Sequence, residues 1–190
     1  TIFNGLVGAG QQTGNWPGVT VERKEGGFRL NNTKVKLVDL PGTYSFSYNS
    51  IDEQIAVDFL VREKPDLAVV VVDSSNLERN LYLVIQLLEL KVPVVVNLNM
   101  IDLAKNRGIR IDTQELEAVL GVPVVESIGN KKIGLEKLKS IIIHEASKKR
   151  KINFRVHYQR EIEEAIEELE PLVAPVFPDY PSRWVTLQLL

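Results

Sequence analysis

The sequence predicts an α/β fold, with a doubly wound and mostly parallel sheet followed by a helical segment. Three observations carry the prediction. "DLAVVVVD" (66–73) and "KVPVVVNLN" (91–99) are nearly continuous apolar runs, as strands buried on both faces of a parallel sheet must be. Around them the apolar spacing changes to a helical period, at 50–62, 78–90 and 134–149. From about residue 150 no strand-like run remains. Buried strands alternating with helices build a sheet covered on both sides.

Phe3, Leu6 and Val7 have helical spacing ahead of Gly8, and "GAGQQTGNWPG" then reads as a loop. "VTVERKEG" and "KVKLVD" are strands, the second closing on Asp39 and breaking at once into Pro41-Gly42. Thr43 to Asn49 is polar and aromatic, and Ile51, Ile55, Phe59 and Leu60 set the next helix. "IDTQELEAVLG" carries its own punctuation: Asp112 as N-cap, Glu115 three residues on, and Gly121 past the end. "VPVVES" (122–127) is a short strand, and the basic run "KKRK" (148–151) is a solvated helix end. We expect one domain over 1–150 and the beginning of a helical module over 151–190. In that module "QREIEEAIEELEPL" is an acidic amphipathic helix, and "YPSRWVTLQLL" starts another with Pro181 near its first turn. The second helix reaches Leu190 with an apolar face and no cap, which predicts a truncated module.

Bulk properties exclude several classes. A net charge of −2 gives no electrostatic basis for binding nucleic acid or an anionic membrane. The absence of cysteine removes disulfides and thiolate metal sites. The longest apolar runs fall far short of the roughly 20 residues of a membrane helix. His144 and His157, with one methionine, make no iron site and are expected on solvated surfaces.

The motifs that remain are weak singly and stronger in order. A carboxylate at the carboxyl end of a strand, as Asp39 is, stands where ligands bind in α/β sheets. Gly42 three residues later lets backbone approach a phosphate, but about one Asp-x-x-Gly is expected by chance in a chain this long. Asn-x-x-Asp occurs twice. Asn49-Ser50-Ile51-Asp52 runs from loop into helix, so its Asn and Asp read as caps. Asn99-Met100-Ile101-Asp102 follows a buried strand, where Asp102 can accept from both N1–H and the exocyclic amine of guanine; adenine lacks that pair of donors. Asn99 would tie the base loop together. Thr20 in "GNWPGVTVE" offers a hydroxyl and an N–H suited to Mg²⁺ and a γ-phosphate on a closing loop, although a β-branched strand residue is the ordinary reading. A Gly-rich loop with Thr20, then Asp39-x-x-Gly42, then Asn99-x-x-Asp102 is the order of a GTPase.

"TIFNGLVG", "GNWPGVTVERKEG", "DLPGTYS", "NLNMID" and "EIEEAIEELE…YPSRWVTLQLL" resemble, across the whole chain, the G domain and adjoining helical spacer of the ferrous iron transport protein B family. The resemblance implies a P-loop GTPase-like sheet and a prokaryotic inner-membrane Fe(II) uptake protein, with this portion on the cytoplasmic face. It implies GTP and GDP as ligands with Mg²⁺ as cofactor, and a spacer that slows GDP release. The partner implied is the protein's own C-terminal membrane domain, with a homo-oligomer admitted for the full protein and no nucleic acid. On that resemblance Gly18, Val19, Thr20, Val21 and Glu22 form switch I. Asp39, Leu40, Pro41 and Gly42 begin switch II, while Asn99, Met100, Ile101 and Asp102 read the base. Thr20 and Gly42 are the catalytic candidates, and Thr20 and Asp39 the candidates for the nucleotide's Mg²⁺.

Three departures qualify the match. The family's G-x-x-x-x-G-K-[ST] phosphate loop and the strand before it belong immediately ahead of "TIFN" and are not among these residues, so the chain is expected to be a fragment lacking them. The family's stimulation by K⁺ rests on an asparagine of that loop. Met100 stands where many GTPases have lysine, and its thioether can pack along the base. The guanine-contacting loop reads "ESIGNKK" instead of Ser-Ala, which assigns Ser127, Ile128 and Gly129 to it, with the Gly129 N–H in reach of the base oxygen. Thr43 replaces the water-orienting glutamine of Ras-like proteins, so water positioning falls to backbone and switch I, and a slow switch is expected. Trp16 is open between a core place and an exposed switch-loop place, and Trp184 is expected to pack in the spacer. A ribosome-assembly GTPase and a nucleotide-incompetent α/β binding module are the rival readings.

Overall fold

The computed structural model describes residues 1–7, 11–46, 50–148 and 152–190. Gly8, the proposed cap Asn49 and positions 149–151 of the basic run, where the expected boundary falls, lie outside the described residues. In chain order the elements are α1 (Ile2–Leu6), β1 (Gln12–Asn15), β2 (Glu22–Leu30), β3 (Thr33–Asp39), α2 (Ile51–Arg62), β4 (Ala68–Asp73), α3 (Leu77–Glu89), β5 (Val94–Asn99), α4 (Ile101–Asn106), α5 (Thr113–Leu120), β6 (Val124–Glu126), α6 (Leu135–Lys148), α7 (Arg160–Val173) and α8 (Ser182–Leu189). Two 3₁₀ turns, Ser74–Asn76 and Gly129–Lys131, follow β4 and β6.

The strands form a parallel sheet, β4-β5-β6, and an antiparallel one, β1-β2-β3. In the parallel sheet Val70 stands opposite Val96 and Asp73 opposite Asn99, so β4 and β5 end level. Residues along β5 alternate between two cores. Val94, Val96 and Leu98 face α2, α3 and α5, with Val57, Leu88 and Leu120 among their neighbours. Val95 faces α1 and α6, with Ile2, Leu6, Leu138 and Ile142. A strand walled on both faces must read as an apolar run, which is why "VPVVV" was legible.

Sequence and structure differ in three places. β1 lies inside the segment read as a loop: all four residues of "QTGN" are exposed, and the strand exists only through pairing with β2, which leaves no hydrophobic period to detect. β2 starts at Glu22, leaving Val19, Thr20 and Val21 of the expected strand in the connecting turn, and runs on through Gly26 and Gly27, because its ladder with β3 continues from Lys24↔Asp39 to Leu30↔Thr33. That hairpin closes on Asn31-Asn32, both at positive φ (47° and 63°), as a two-residue I′ turn requires. Finally, Ser50 caps α2, accepting from the Glu53 N–H at 3.2 Å, and Asp52 lies in the first turn.

Other punctuation is as expected. Asp112 accepts from the N–H groups of Gln114 and Glu115, each at 3.0 Å, and Gly121 ends α5 in the left-handed region. The two final helices join the main core through Val173, Trp184 and Val185, with Trp184 2% exposed and its ring stacked on Tyr180. Polar contacts reinforce this seam. Tyr180 donates to Asp58 of α2 at 3.0 Å, and Tyr158 donates to the Glu89 carboxylate at the end of α3. Burial and that carboxylate push the Tyr158 phenol up to about 12. Arg183 clamps Glu163 (2.8 and 3.1 Å) and the Val156 carbonyl, which folds the connecting segment onto α7.

Candidate functional site

Between the two sheets lies an open slot. Among the described residues β3 pairs only with β2, and β4 only with β5, so each leaves one ladder edge toward the other. The slot encloses about 370 Å³, floored by Ile2 and Leu6 and walled by Leu37 of β3 and by Val69 and Val71 of β4. Val71 is 45% exposed in a strand of "AVVVVD", an unusual condition for the centre of an apolar strand. Asp39, Leu40, Pro41, Gly42 and Thr43 line its rim.

Asp39 is exposed at the end of β3, and among the described residues none hydrogen-bonds to its carboxylate. Partial withdrawal of water raises its carboxyl above the ordinary value, against the pull of Lys24 across the ladder. Asp73, which ends the neighbouring β4, contrasts with it. Burial pushes its carboxyl up, but bonds from Asn76 and from the Ser75 N–H and hydroxyl outweigh burial and hold it below the ordinary value. One strand-end carboxylate is thus locally engaged and the other is available. Gly42 is exposed, and a Cβ built there would meet nothing within 4 Å.

Thr20 sits at the tip of the β1–β2 hairpin. Trp16 to Val19 make a type II turn, with Pro17 second and Gly18 third at φ +77°; the Val19 N–H closes the turn on the Trp16 carbonyl at 3.3 Å, and the Trp16 N–H donates to the Val21 carbonyl at 2.9 Å across the hairpin. Gly18, Thr20 and Glu22 are exposed, and Val19 and Val21 are half-buried. Trp16 itself is buried (6% exposed), edge-on to Phe59 of α2 at 5.5 Å, with the Arg23 guanidinium 4.6 Å above its ring. The aromatic that the sequence left open is therefore the anchor that fastens the hairpin to α2. Thr20 is not among the residues lining the slot.

The remaining motif residues converge at the carboxyl end of β5. Met100 adopts a left-handed backbone (φ 59°, ψ 35°), a conformation costing roughly 1–2 kcal/mol in a residue with a Cβ, and turns the chain straight into α4. Asn99 Oδ1 accepts from the Gly129 N–H at 3.0 Å, joining the loop after β5 to the loop after β6. The fit is close, since a Cβ at 129 would lie 2.7 Å from the end of the Ile2 side chain and would require it to shift. The Gly129 N–H is thereby turned to Asn99, and the Ile128 N–H donates to Ile133. Ser127 is buried, its N–H on the Leu98 carbonyl and its hydroxyl on Asn97 Oδ1 at 3.0 Å. Ile101 donates back to the Ser127 carbonyl at 3.4 Å. Asp102 projects from α4, with Oδ1 accepting from the Leu103 N–H and Oδ2 from Lys131 at 2.8 Å. The Lys131 ammonium holds the Asp102 carboxyl below its ordinary value.

Two members of this cluster escaped the sequence reading. Asn97 carried a signal, a lone polar residue inside an apolar strand, and it is fully buried with its amide donating to Val125. Lys131 carried none, because the turn that brings it over Asp102 has no apolar period. His144 and His157 are exposed.

A family model described as ferrous iron transport protein B matches residues 1–142, and one described as the FeoB cytosolic helical domain matches 158–190. The chain belongs to the FeoB family. The Fe(2+) transporter FeoB of Salmonella typhimurium is 46% identical to it over 195 residues, and that of Escherichia coli K12 is 45% identical. Each alignment covers 100% of this chain and 25% of the relative, so the chain spans a quarter of the length of these relatives. The cytosolic domain of Thermotoga maritima FeoB, in its GMPPNP form, superposes with a TM-score of 0.92 at 41% identity over 100% of this chain and 75% of that one. The FeoB G domain of Methanococcus jannaschii superposes with a TM-score of 0.69 at 49% identity, over 77% of this chain and 88% of that one. The α/β portion is thus a FeoB G domain, followed by a helical segment.

Proposed function

We propose that this chain carries the base-reading and switch elements of a GTPase domain that hydrolyses GTP to GDP and phosphate with Mg²⁺. In the full protein it couples that cycle to Fe(II) passage through a membrane domain, from the cytoplasmic face of a prokaryotic inner membrane. The observation that carries the reading is the Asn99–Gly129 bond beside Asp102, at the carboxyl end of a buried parallel strand. Asp102 is the guanine selector: its two oxygens match N1–H and the exocyclic amine, and a base lacking those donors leaves a desolvated carboxylate unpaired. Asn99 and Ser127 hold the two base loops in register, with Met100 packing along the base.

Residues 1–150 act as the G domain and 151–190 as the start of its helical spacer. The slot between β3 and β4 suits one further strand, which would complete both ladders and cover Leu37 and Val71. A phosphate loop at the end of that strand would meet the rim formed by Asp39 to Gly42, where the phosphates belong. Gly42, whose missing Cβ answers to no neighbour in this chain, gives its N–H to the γ-phosphate. The uncommitted Asp39 carboxylate and the exposed Thr20 hydroxyl are hard oxygen donors that fit Mg²⁺. Bound Mg²⁺ supplies neutralisation of charge on the phosphate oxygens. With Thr43 in place of glutamine, water positioning falls to the backbone and the switch I loop around Thr20, and turnover is slow.

Thr20→Ala tests the switch assignment. In the full gene product it should leave GDP affinity nearly unchanged while lowering GTP hydrolysis, because the proposed contacts of Thr20 exist only with the triphosphate. Wild-type affinity together with wild-type turnover would remove Thr20 from the site.

A further inference from the structure

The base site is closed on itself. Asp102 Oδ1 is held by the Leu103 N–H at 3.1 Å and Oδ2 by the Lys131 ammonium at 2.8 Å. Guanine needs both oxygens. The Leu103 contact is a backbone bond within α4 that leaves further lone pairs on Oδ1. The Lys131 contact is different, because its ammonium takes up Oδ2, an oxygen that the base edge also needs.

Lys131 lies 29 residues beyond Asp102 and is brought over it by a pinned turn. The Lys131 N–H donates to the Ile128 carbonyl at 3.0 Å, and Ile128 and Ile133 exchange both backbone bonds (3.0 and 3.2 Å). The backbone of the turn is therefore fixed, while the side chain, 56% exposed, is free to swing. Neighbouring lysines do not share the role: Lys105 points to Glu126 at 3.6 Å, and Lys132, in the left-handed region, has no ion pair among the described residues.

We propose that Lys131 gates the guanine site, its ammonium occupying Asp102 when no base is bound and leaving the carboxylate as guanine enters. The inference rests on the reading of Asp102 as the base-selecting residue. The gate works by competition. Only molecules with Lys131 displaced are competent to bind, so apparent affinity falls by the competent fraction and the loss appears in the association rate. An exposed ion pair is worth little, which makes the gate shallow: removing it should tighten binding about 2- to 6-fold. Its weight should fall with salt, because the pair is exposed.

The test is stopped-flow binding of GDP carrying a fluorescent ribose label to the full gene product, comparing wild type, Lys131→Met, Lys132→Met and Asp102→Asn. Lys131→Met keeps the stem and loses the charge. It should raise the association rate about 2- to 6-fold, leave dissociation unchanged, and converge on wild type as salt is added. Lys132→Met removes the same charge from the same turn and should give no gain. Unchanged or slower association in Lys131→Met overturns the gate, as does an equal gain in Lys132→Met, which would mark a general charge effect. Faster dissociation would mean that Lys131 only steadies the loop, or shares the carboxylate with the base, and also overturns it. If Lys131→Met is neutral while Asp102→Asn loses GDP, the gate alone falls. If the wild-type protein and Asp102→Asn bind GDP alike, the base reading falls and the gate with it.

Discussion

Removing the buried Asn97–Ser127 pair should show whether the base loop is held from within the sheet. Asn97 is 0% and Ser127 1% exposed, and their 3.0 Å bond links β5 to the loop after β6. Ser127→Ala deletes one donor and strands Asn97 Oδ1 in a dry site, a cost of about 1–3 kcal/mol. Asn97→Ala loses this bond and the one to the Val125 carbonyl (3.2 Å) and leaves a carboxamide-sized void, for about 2–4 kcal/mol. The double variant should fall short of the sum by about 1 kcal/mol or more, because the shared bond is lost only once and neither partner is left stranded. Urea unfolding of the nucleotide-binding portion of the gene product measures this as shifts of the midpoint at constant slope. Both single variants should also weaken GDP, since Ser127 holds the turn that carries Gly129. Costs that add within about 0.3–0.5 kcal/mol would refute the coupling.

Two further outcomes test other parts of the account. In a Trp184→Phe background, Phe59→Ala should shift the Trp16 emission to the red and cost about 1 kcal/mol from the lost ring pair; an unmoved emission maximum would mean that the hairpin is fastened elsewhere. Glu163 accepts from Arg183, the Tyr158 N–H and Arg155, which together hold its carboxyl far below the ordinary 4.5. A depressed folded pKa gives stability that is present above 4.5 and lost as pH falls toward the folded value. Glu163→Gln should therefore be less stable at neutral pH and flatter on the acid limb, and an acid limb identical to wild type in denaturation profiles would contradict the clamp.

What was legible in the sequence follows from where each residue's physics is local. β4 and β5 announced themselves because both faces are covered, and Asp112 and Gly121 marked α5 because caps act through their own backbone neighbours. β1 did not, since "QTGN" is exposed throughout and takes its conformation from β2 alone. Asn99 and Asp102 were singled out from order and context, and Ser127 from the family resemblance, but their partners were not. The Asn97–Ser127 and Asp102–Lys131 contacts bridge 30 and 29 residues, and no local pattern encodes a pairing across that distance. Trp16 could not be placed from its flanking Pro and Gly, because its burial depends on Phe59 and Arg23 meeting it from two other elements.

The most direct measurement of the central claim is calorimetric titration of the full gene product and its Asp102→Asn variant with GDP, XDP and ADP. Wild type should bind GDP and ignore ADP. The variant should lose GDP and gain XDP, because the amide presents a donor where xanthine carries a carbonyl and guanine carries an amine. GDP affinity that is the same before and after the change, or ADP bound as tightly as GDP, would contradict the assignment of this chain as a guanine-nucleotide switch.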